Sequence, residues 1–534
     1  MNQESKHKYH ILLFIILIIS FFLKLYYAEE YSTFTDELLS ANVAKSIGQN
    51  GIPLLPSNSI YPRALLHHYL LAIPISLFGM TYISMRINSI ILSSLTIWII
   101  YLLGVRVANR KVAIAAALFL ALNSIFNLHS LSGRMYMTYG CFYILSIYFF
   151  YRGFIEKENK ASSKIFSIIF MITAMLSSEA GLIIGPIFVF LCCLYNRKTW
   201  YKDKVIIFGC VAWTLIACFI HFYKIPGAYS AFTANAGSPL GTFISYKLPV
   251  KELIYHMSYL WRVLDGCIPF SVPFFIVMTG LVAKKRQLKD HFPLMALLPA
   301  LIVQSIFFHY GIQKRVVVTI TPLYILACCQ LFFTLWVWIT VGLKKEKSFK
   351  RFIVVRAKKI TIAVVVFSLI SVPFIIDKYI IDKHLMRPTE FPTYLFKPFY
   401  DHRSRMNPQP SYLYVKKHAK KKDVIIQTTL EYGFFFLGDE YNYHYLRQKK
   451  GGRDADGNRI YISFTQKDEP YYGRPIIDSV ESLKKLMANS HAKIWLILGE
   501  KSKWAVGPEI KEFITDHFQL NYNKNEFKVC SFNN

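Results

Sequence analysis

Ile11-Leu-Leu-Phe-Ile-Ile-Leu-Ile-Ile-Ser-Phe-Phe-Leu-Lys-Leu-Tyr-Tyr-Ala28 is an apolar run broken by a single cation, and Tyr31-Ser-Thr-Phe-Thr-Asp36-Glu37 follows almost at once. A helix crossing a bilayer needs about 20 apolar residues, so the first stretch reads as a membrane span. Two adjacent carboxylates then stand where that span meets water. Acids at such a boundary need partners or a chemical role. Asp36 also suits the N-cap of a helix over Glu37–Ile47, since Asp is a preferred cap. Capping and catalysis are compatible, so both roles stay open.

Outward from this stretch, further apolar runs recur at 84–105, 112–127, 135–151, 165–176, 180–195, 205–222, 267–283, 292–309, 316–341 and 360–376. The 534 residues are 54% hydrophobic and only 18% charged, below the roughly 25% charged of soluble domains. The net charge of +30 would point to nucleic acid in a soluble chain. Here the basic residues cluster between apolar runs, so topology accounts for them and no nucleic-acid partner is expected. Lys6 and Lys8 precede the first run, Arg106, Arg110 and Lys111 follow the second, and eight Lys/Arg lie between Lys344 and Lys359. The positive-inside rule then gives about eleven spans and a cytoplasmic N-terminus. Ala64–Gly79 is apolar too, but counting it as a span would put every later basic loop outside. It reads as an interfacial or re-entrant helix. The first run lacks a small-residue cleavage site and reads as a retained anchor.

This topology puts Asp36, Arg63, Arg134, Glu179 and Arg315 on the outer side, within or beside external loops such as 29–83 and 223–266. The second of these loops is long enough for a lid or a binding element. Arg63 can snorkel to headgroups or bind a phosphate through its forked donors. Arg134 and Arg315 stand against the charge rule. Glu179 can cap a turn or touch a ligand, His67 and His68 read as interfacial, and Arg86 as a structural cation near the outer interface. Of the nine cysteines, seven fall inside apolar runs, and none shows zinc spacing or a Cys-x-x-Cys pair. No metal site is expected and no cofactor is required, although the sequence does not decide whether a divalent ion assists.

From 377 to 534 the composition turns polar. Strands are expected at Asp423–Thr429, Ile460–Thr465, Lys493–Leu498 and Phe527–Phe532. A helix is expected behind a capping box Asp478-Ser-Val-Glu481, and another after Gly507-Pro508. Arg453-Asp-Ala-Asp-Gly457 lacks the twelfth-position Glu of a calcium loop. The fold class that follows is an all-α polytopic membrane domain, 1–376, with a C-terminal α/β domain outside the membrane, 377–534.

The chain resembles the GT-C glycosyltransferases of the protein O-mannosyltransferase and lipid A aminoarabinose-transferase type over about residues 1–330. The carriers are Thr35-Asp36-Glu37 after the first span and Tyr61-Pro-Arg63 leading into an apolar helix that ends in Leu77-Phe78-Gly79. Met85-Arg86-Ile87-Asn88-Ser89 opens the second span and Arg134-Met135-Tyr136 the fourth. The resemblance implies transfer of a sugar from a polyprenyl-phosphate donor to an extracytoplasmic acceptor, with inversion, in the cell membrane. Asp36 would be the general base with Glu37 beside it in the catalytic set. Arg63, Arg134 and Arg315 would bind the donor phosphate, and Glu179, Tyr61 and Tyr136 would touch sugar or acceptor. Two departures stand out: Ala64 follows Arg63 where the family has proline, and Glu179 falls where some relatives have lysine. The rival readings are a lipid-linked-glycan flippase and a non-catalytic glycolipid-binding subunit.

Overall fold

A computed structural model describes residues 3–30, 33, 35–156, 161–195, 200–222, 264, 271–284, 290–307, 319–344, 408–453, 459–462, 468, 472–499, 506–524 and 527–533. The amino-terminal part is helical. α1 (Gln3–Glu30) leads to the shorter α2 (Thr35–Asn50) and α3 (Leu65–Phe78). α4 (Tyr82–Val107), α5 (Arg110–Leu122), α6 (Ser124–Ser130), α7 (Met135–Phe150), α8 (Ala161–Ser177), α9 (Ile184–Tyr195) and α10 (Lys204–Phe222) follow, then α11 (Ser271–Lys284), α12 (Phe292–Phe307) and α13 (Thr321–Lys344). Helices thus occupy ten of the expected apolar runs; 360–376, the 223–263 stretch and the expected boundary near 376 lie outside the described residues. Among the described residues, three helices are long and apolar enough to cross a membrane: His7–Glu29, Tyr82–Val107 and Thr321–Trp338.

Polar side chains punctuate these helices where the pattern demands. The side-chain oxygen of Thr81 accepts from Ser84 N in a capping box that starts α4, and Asn109 caps α5 through the amides of Lys111 and Val112. Such caps satisfy donors that have no intrahelical partner. α4 and α5 pack so closely that a Cβ on Gly104 would sit 2.9 Å from Ala113 Cα, the small-residue contact expected of apolar helices with no water to exclude. Ile97, Ile100, Ala116, Leu120, Ile144, Ile147 and Leu323 lie in the bundle core.

The carboxy-terminal part is an α/β unit. It runs α14 (Gln409–His418), β1 (Val424–Gln427), α15 (Leu430–Phe436), β2 (Asn442–Leu446), β3 (Lys449–Arg453), β4 (Arg459–Ile462), β5 (Ile476–Ile477), α16 (Val480–Asn489), β6 (Ile494–Leu498), α17 (Pro508–His517), β7 (Gln519–Lys524) and β8 (Phe527–Phe532). One sheet has the order β5-β2-β1-β6-β8-β7; β5, β2, β1 and β6 are parallel, while β8 and β7 are antiparallel. Strand side chains alternate between faces. Ile426 and Leu496 therefore pack with Leu483 and Ile514 of α16 and α17, whereas Ile425, Trp495 and Ile497 pack with Tyr412 and Leu430 of α14 and α15. The expected strands are present. The capping box is shifted by one residue, with Ser479 and Ser482 in place of Asp478 and Glu481. Gly451 and Gly452, expected in a loop, lie in β3 at the register shift between Lys450 and Arg453.

The face carrying α14 and α15 rests on the helical part. Leu39 of α2 packs into the same cluster as Tyr412 and Phe434, and Tyr432 and Phe435 pack against the α2–α3 cluster of Leu38, Ala41 and Leu71.

Candidate active site

Neighbouring residues on a helix point about 100° apart, so the two carboxylates at the head of α2 face different surroundings. Glu37 turns inward and is fully buried. Arg86 of α4, equally buried, donates from Nε to Glu37 Oε1 at 2.9 Å and from Nη2 to Oε2 at 3.1 Å. The Gly133 amide donates to the same Oε1 at 2.5 Å, and Arg86 Nη1 donates to the Ala28 carbonyl at 2.5 Å. One forked ion pair thus ties together α1, α2, α4 and the 131–134 corner. Glu37, placed by the sequence beside Asp36 in the catalytic set, is thus a buried carboxylate held on both oxygens by protein donors. Gly133 is obligatory here: a Cβ would lie 2.5 Å from Met85 O and 3.2 Å from Glu37 Cγ.

Asp36 faces outward, its side chain 56% exposed, with Arg134 Nη2 at 3.8 Å from Oδ2. It is not the helix cap, since α2 already begins at Thr35. Arg134 is buried. Its Nη1 donates to the Asp36 carbonyl at 2.8 Å and to Ser40 Oγ at 2.6 Å, while Ser40 Oγ donates to the same carbonyl at 3.1 Å. Burial works against the charge of Arg134, but Tyr136, Tyr61 and Asp36 outweigh it and hold its pKa above the ordinary value. The result is a permanent cation beside an accessible carboxylate.

The two histidines, both in α3, are buried within the protein. His67 Nε2 lies 3.2 Å from the Gly133 carbonyl and Nδ1 lies 3.0 Å from Thr138 Oγ1. A carbonyl only accepts, so Nε2 carries the proton and Nδ1 accepts from the threonine. Burial, His68 and Arg134 push the His67 pKa well down, which keeps the ring neutral. Both backbone groups of Gly133 are therefore held by side chains, the amide by Glu37 and the carbonyl by His67, and Arg134 follows directly as the N-cap residue of α7. His68 stacks edge-on against Tyr61 at 5.4 Å and against His67 at 5.3 Å.

The other expected residues fall around this centre. Tyr61 is buried on His68 and acts electrostatically on Arg134. Arg63 is half-buried, just before Ala64, which adopts the left-handed conformation (φ 50°) at the start of α3. Arg63 and Arg134 both bear electrostatically on His68. Tyr136 partners Arg134 and meets His129 edge-on at 5.3 Å. Glu179 opens a short 3-10 turn, Glu179–Ile183, which Tyr139 of α7 holds by donating to the Ala180 carbonyl at 3.3 Å. Nothing is described of its side chain, and Arg315 lies outside the described residues. Among the described residues, no three His, Cys, Asp or Glu side chains converge as a metal site. Ser40, His67, Gly133 and the Arg86–Glu37 pairing carry no sequence signal, because each depends on contacts between distant segments.

Residues 62–223 match the family profile described as dolichyl-phosphate-mannose-protein mannosyltransferase. No curated protein matches the chain in sequence. Among solved structures, ArnT from Cupriavidus metallidurans in the apo state superimposes with a TM-score of 0.59 at 11% identity, covering 99% of this chain and 98% of that one. The same protein bound to undecaprenyl phosphate gives 0.59 at 12% identity, covering 98% of each. The oligosaccharyltransferase of Archaeoglobus fulgidus in the apo form gives 0.51 at 11% identity, covering 94% of this chain and 71% of that one. The chain shares the fold of these proteins, and the resemblance to glycosyltransferases of the protein O-mannosyltransferase and lipid A aminoarabinose-transferase type is borne out.

Proposed function

We propose that the chain is a membrane glycosyltransferase that moves a sugar from a polyprenyl-phosphate carrier to a hydroxyl acceptor outside the cytoplasm, inverting the anomeric centre. The observation that carries this reading is the exposed Asp36 carboxylate held 3.8 Å from the buried Arg134 guanidinium, in a fold shared with a protein solved with undecaprenyl phosphate.

Asp36 accepts the proton of the acceptor hydroxyl as its oxygen attacks the anomeric carbon. The bond from that carbon to the phosphate oxygen breaks, and the lipid phosphate leaves with the electron pair. Arg134 and Arg63, with Arg315 as a third cation, match the charge that develops on the leaving phosphate. The forked geometry of Arg suits this task. Tyr61, Tyr136 and Glu179 contact sugar or acceptor. Glu37 acts through Arg86 and Gly133 by fixing the corner that carries Arg134. The N-terminus is cytoplasmic, about eleven helices cross the membrane, and residues 377–534 stand outside it.

The test is release of lipid phosphate from a panel of polyprenyl-phosphate sugars, by purified protein with a cell-envelope acceptor extract. Release by the wild type but not by Asp36→Asn supports the reading. Labelled lipid crossing a liposome bilayer with no release would instead establish a transporter.

A further inference from the structure

The α/β domain touches the helical part at the peptide that leads into Asp36. Tyr432 Oη of α15 donates to the Thr33 carbonyl at 3.1 Å, three residues before the exposed carboxylate. Phe435, three residues on, stacks on Tyr82 of α4 with centroids 5.5 Å apart. Tyr82 also carries the Arg86 guanidinium, 5.5 Å from its ring centre, and Arg86 is the cation that locks Glu37. Asn42 Nδ2 donates to Tyr472 Oη at 3.4 Å one and a half turns along α2, and Lys45 lies 3.7 Å from Asp439.

These contacts are not spread over the domain. They come from α15 and the segments beside it, and α15 starts directly after β1, which lies between β2 and β6 in the sheet. A helix anchored to an inner strand is a rigid element. A mispositioned catalytic group costs rate steeply, about a hundredfold per ångström. We infer that the α/β domain is a clasp on the head of α2: Tyr432 holds the backbone before Asp36, and Phe435 supports the Tyr82–Arg86–Glu37 stack behind it. Tyr432 and Phe435 are positioning residues for Asp36. The inference rests on the proposed role of Asp36 for its catalytic consequence, but not for the clasp itself.

The experiment uses the full chain in detergent, with Tyr432→Phe, which keeps the ring and removes the hydroxyl, and Phe435→Ala, with Phe435→Tyr as the conservative control. Two quantities are read: amide exchange over 35–40, and kcat and donor KM for lipid-phosphate release. Tyr432→Phe is expected to speed exchange over 35–40 about tenfold by loosening a local unit. It should lower kcat about tenfold with donor KM unchanged. Phe435→Ala should do the same, and Phe435→Tyr should restore both. Wild-type exchange and wild-type kcat in both Tyr432→Phe and Phe435→Ala would overturn the clasp. If the wild type releases no lipid phosphate from any donor, the proposed reaction fails while the exchange measurement still decides the clasp.

Discussion

Two carboxylate–arginine pairs stand side by side at the head of α2, Glu37 with Arg86 and Asp36 with Arg134. The first is sealed: both side chains are fully buried, with forked contacts at 2.9 and 3.1 Å. The second is open, with the carboxylate half-exposed and Arg134 Nη2 at 3.8 Å. The chemistry of the groups is the same, and solvent separates their roles. Removing one partner of a buried pair strands a charge in low dielectric at a cost of about 3–5 kcal/mol. An exposed carboxylate contributes little to such a pair, about 0–1 kcal/mol, and the buried Arg134 keeps its bonds to the Asp36 carbonyl and Ser40, so the Asp36 carboxylate can serve a reaction instead of the fold.

The largest effect on stability is expected at the sealed pair. Arg86→Ala should destabilise the protein by about 3–5 kcal/mol, read as lost folded yield and a lowered midpoint of thermal unfolding. Arg86→Lys should recover little of this, because a point cation cannot reproduce the fork. Asp36→Asn should leave the same unfolding midpoint close to wild type. A large shift there would erase the distinction between the pairs. Next in size is the corner between them: Gly133→Ala forces a Cβ against Met85 O and should cost about 1–3 kcal/mol.

A pH series sharpens the contrast further. Burial, and then Arg134, push the His68 pKa down to about 3, and His67 is lowered for the same first reason. Below the ordinary imidazole value of about 6.5 the unfolded chain binds protons that the folded chain refuses, so stability present above that pH is lost as it falls. Thermal unfolding between pH 8 and pH 4 should show this loss, and His68→Gln should flatten it. The smallest effect belongs to the exposed bridge of Lys45 with Asp439 at the domain contact. Lys45→Ala should change stability by less than about 1 kcal/mol.

The sequence made the apolar helices legible through their length, and the main strands of the α/β unit through β-branched and aromatic runs such as Val424-Ile-Ile-Gln427 and Ile494-Trp-Leu-Ile-Leu498. It also brought Asp36 and Arg134 forward, because charge outside a membrane span stands out. It could not tell which of two adjacent carboxylates is sealed. That depends on Arg86, 49 residues away, and on the Gly133 amide, 96 residues away. The burial of His67 and His68 was hidden for a related reason. Neutral imidazoles packed against Thr138, Gly133 and Tyr61 look, in sequence, like any polar pair at an interface. The polar strand Gln519–Lys524 lies at the end of the sheet among the described residues, where charged and polar side chains are common.

The most direct test of the open pair is release of lipid phosphate by purified wild type and Asp36→Asn, each shown to be folded by its unfolding midpoint. Loss of the base should lower release by about a hundredfold to ten-thousandfold at unchanged stability. Wild-type release by Asp36→Asn would contradict the account, because the exposed carboxylate would then serve neither the fold nor the reaction.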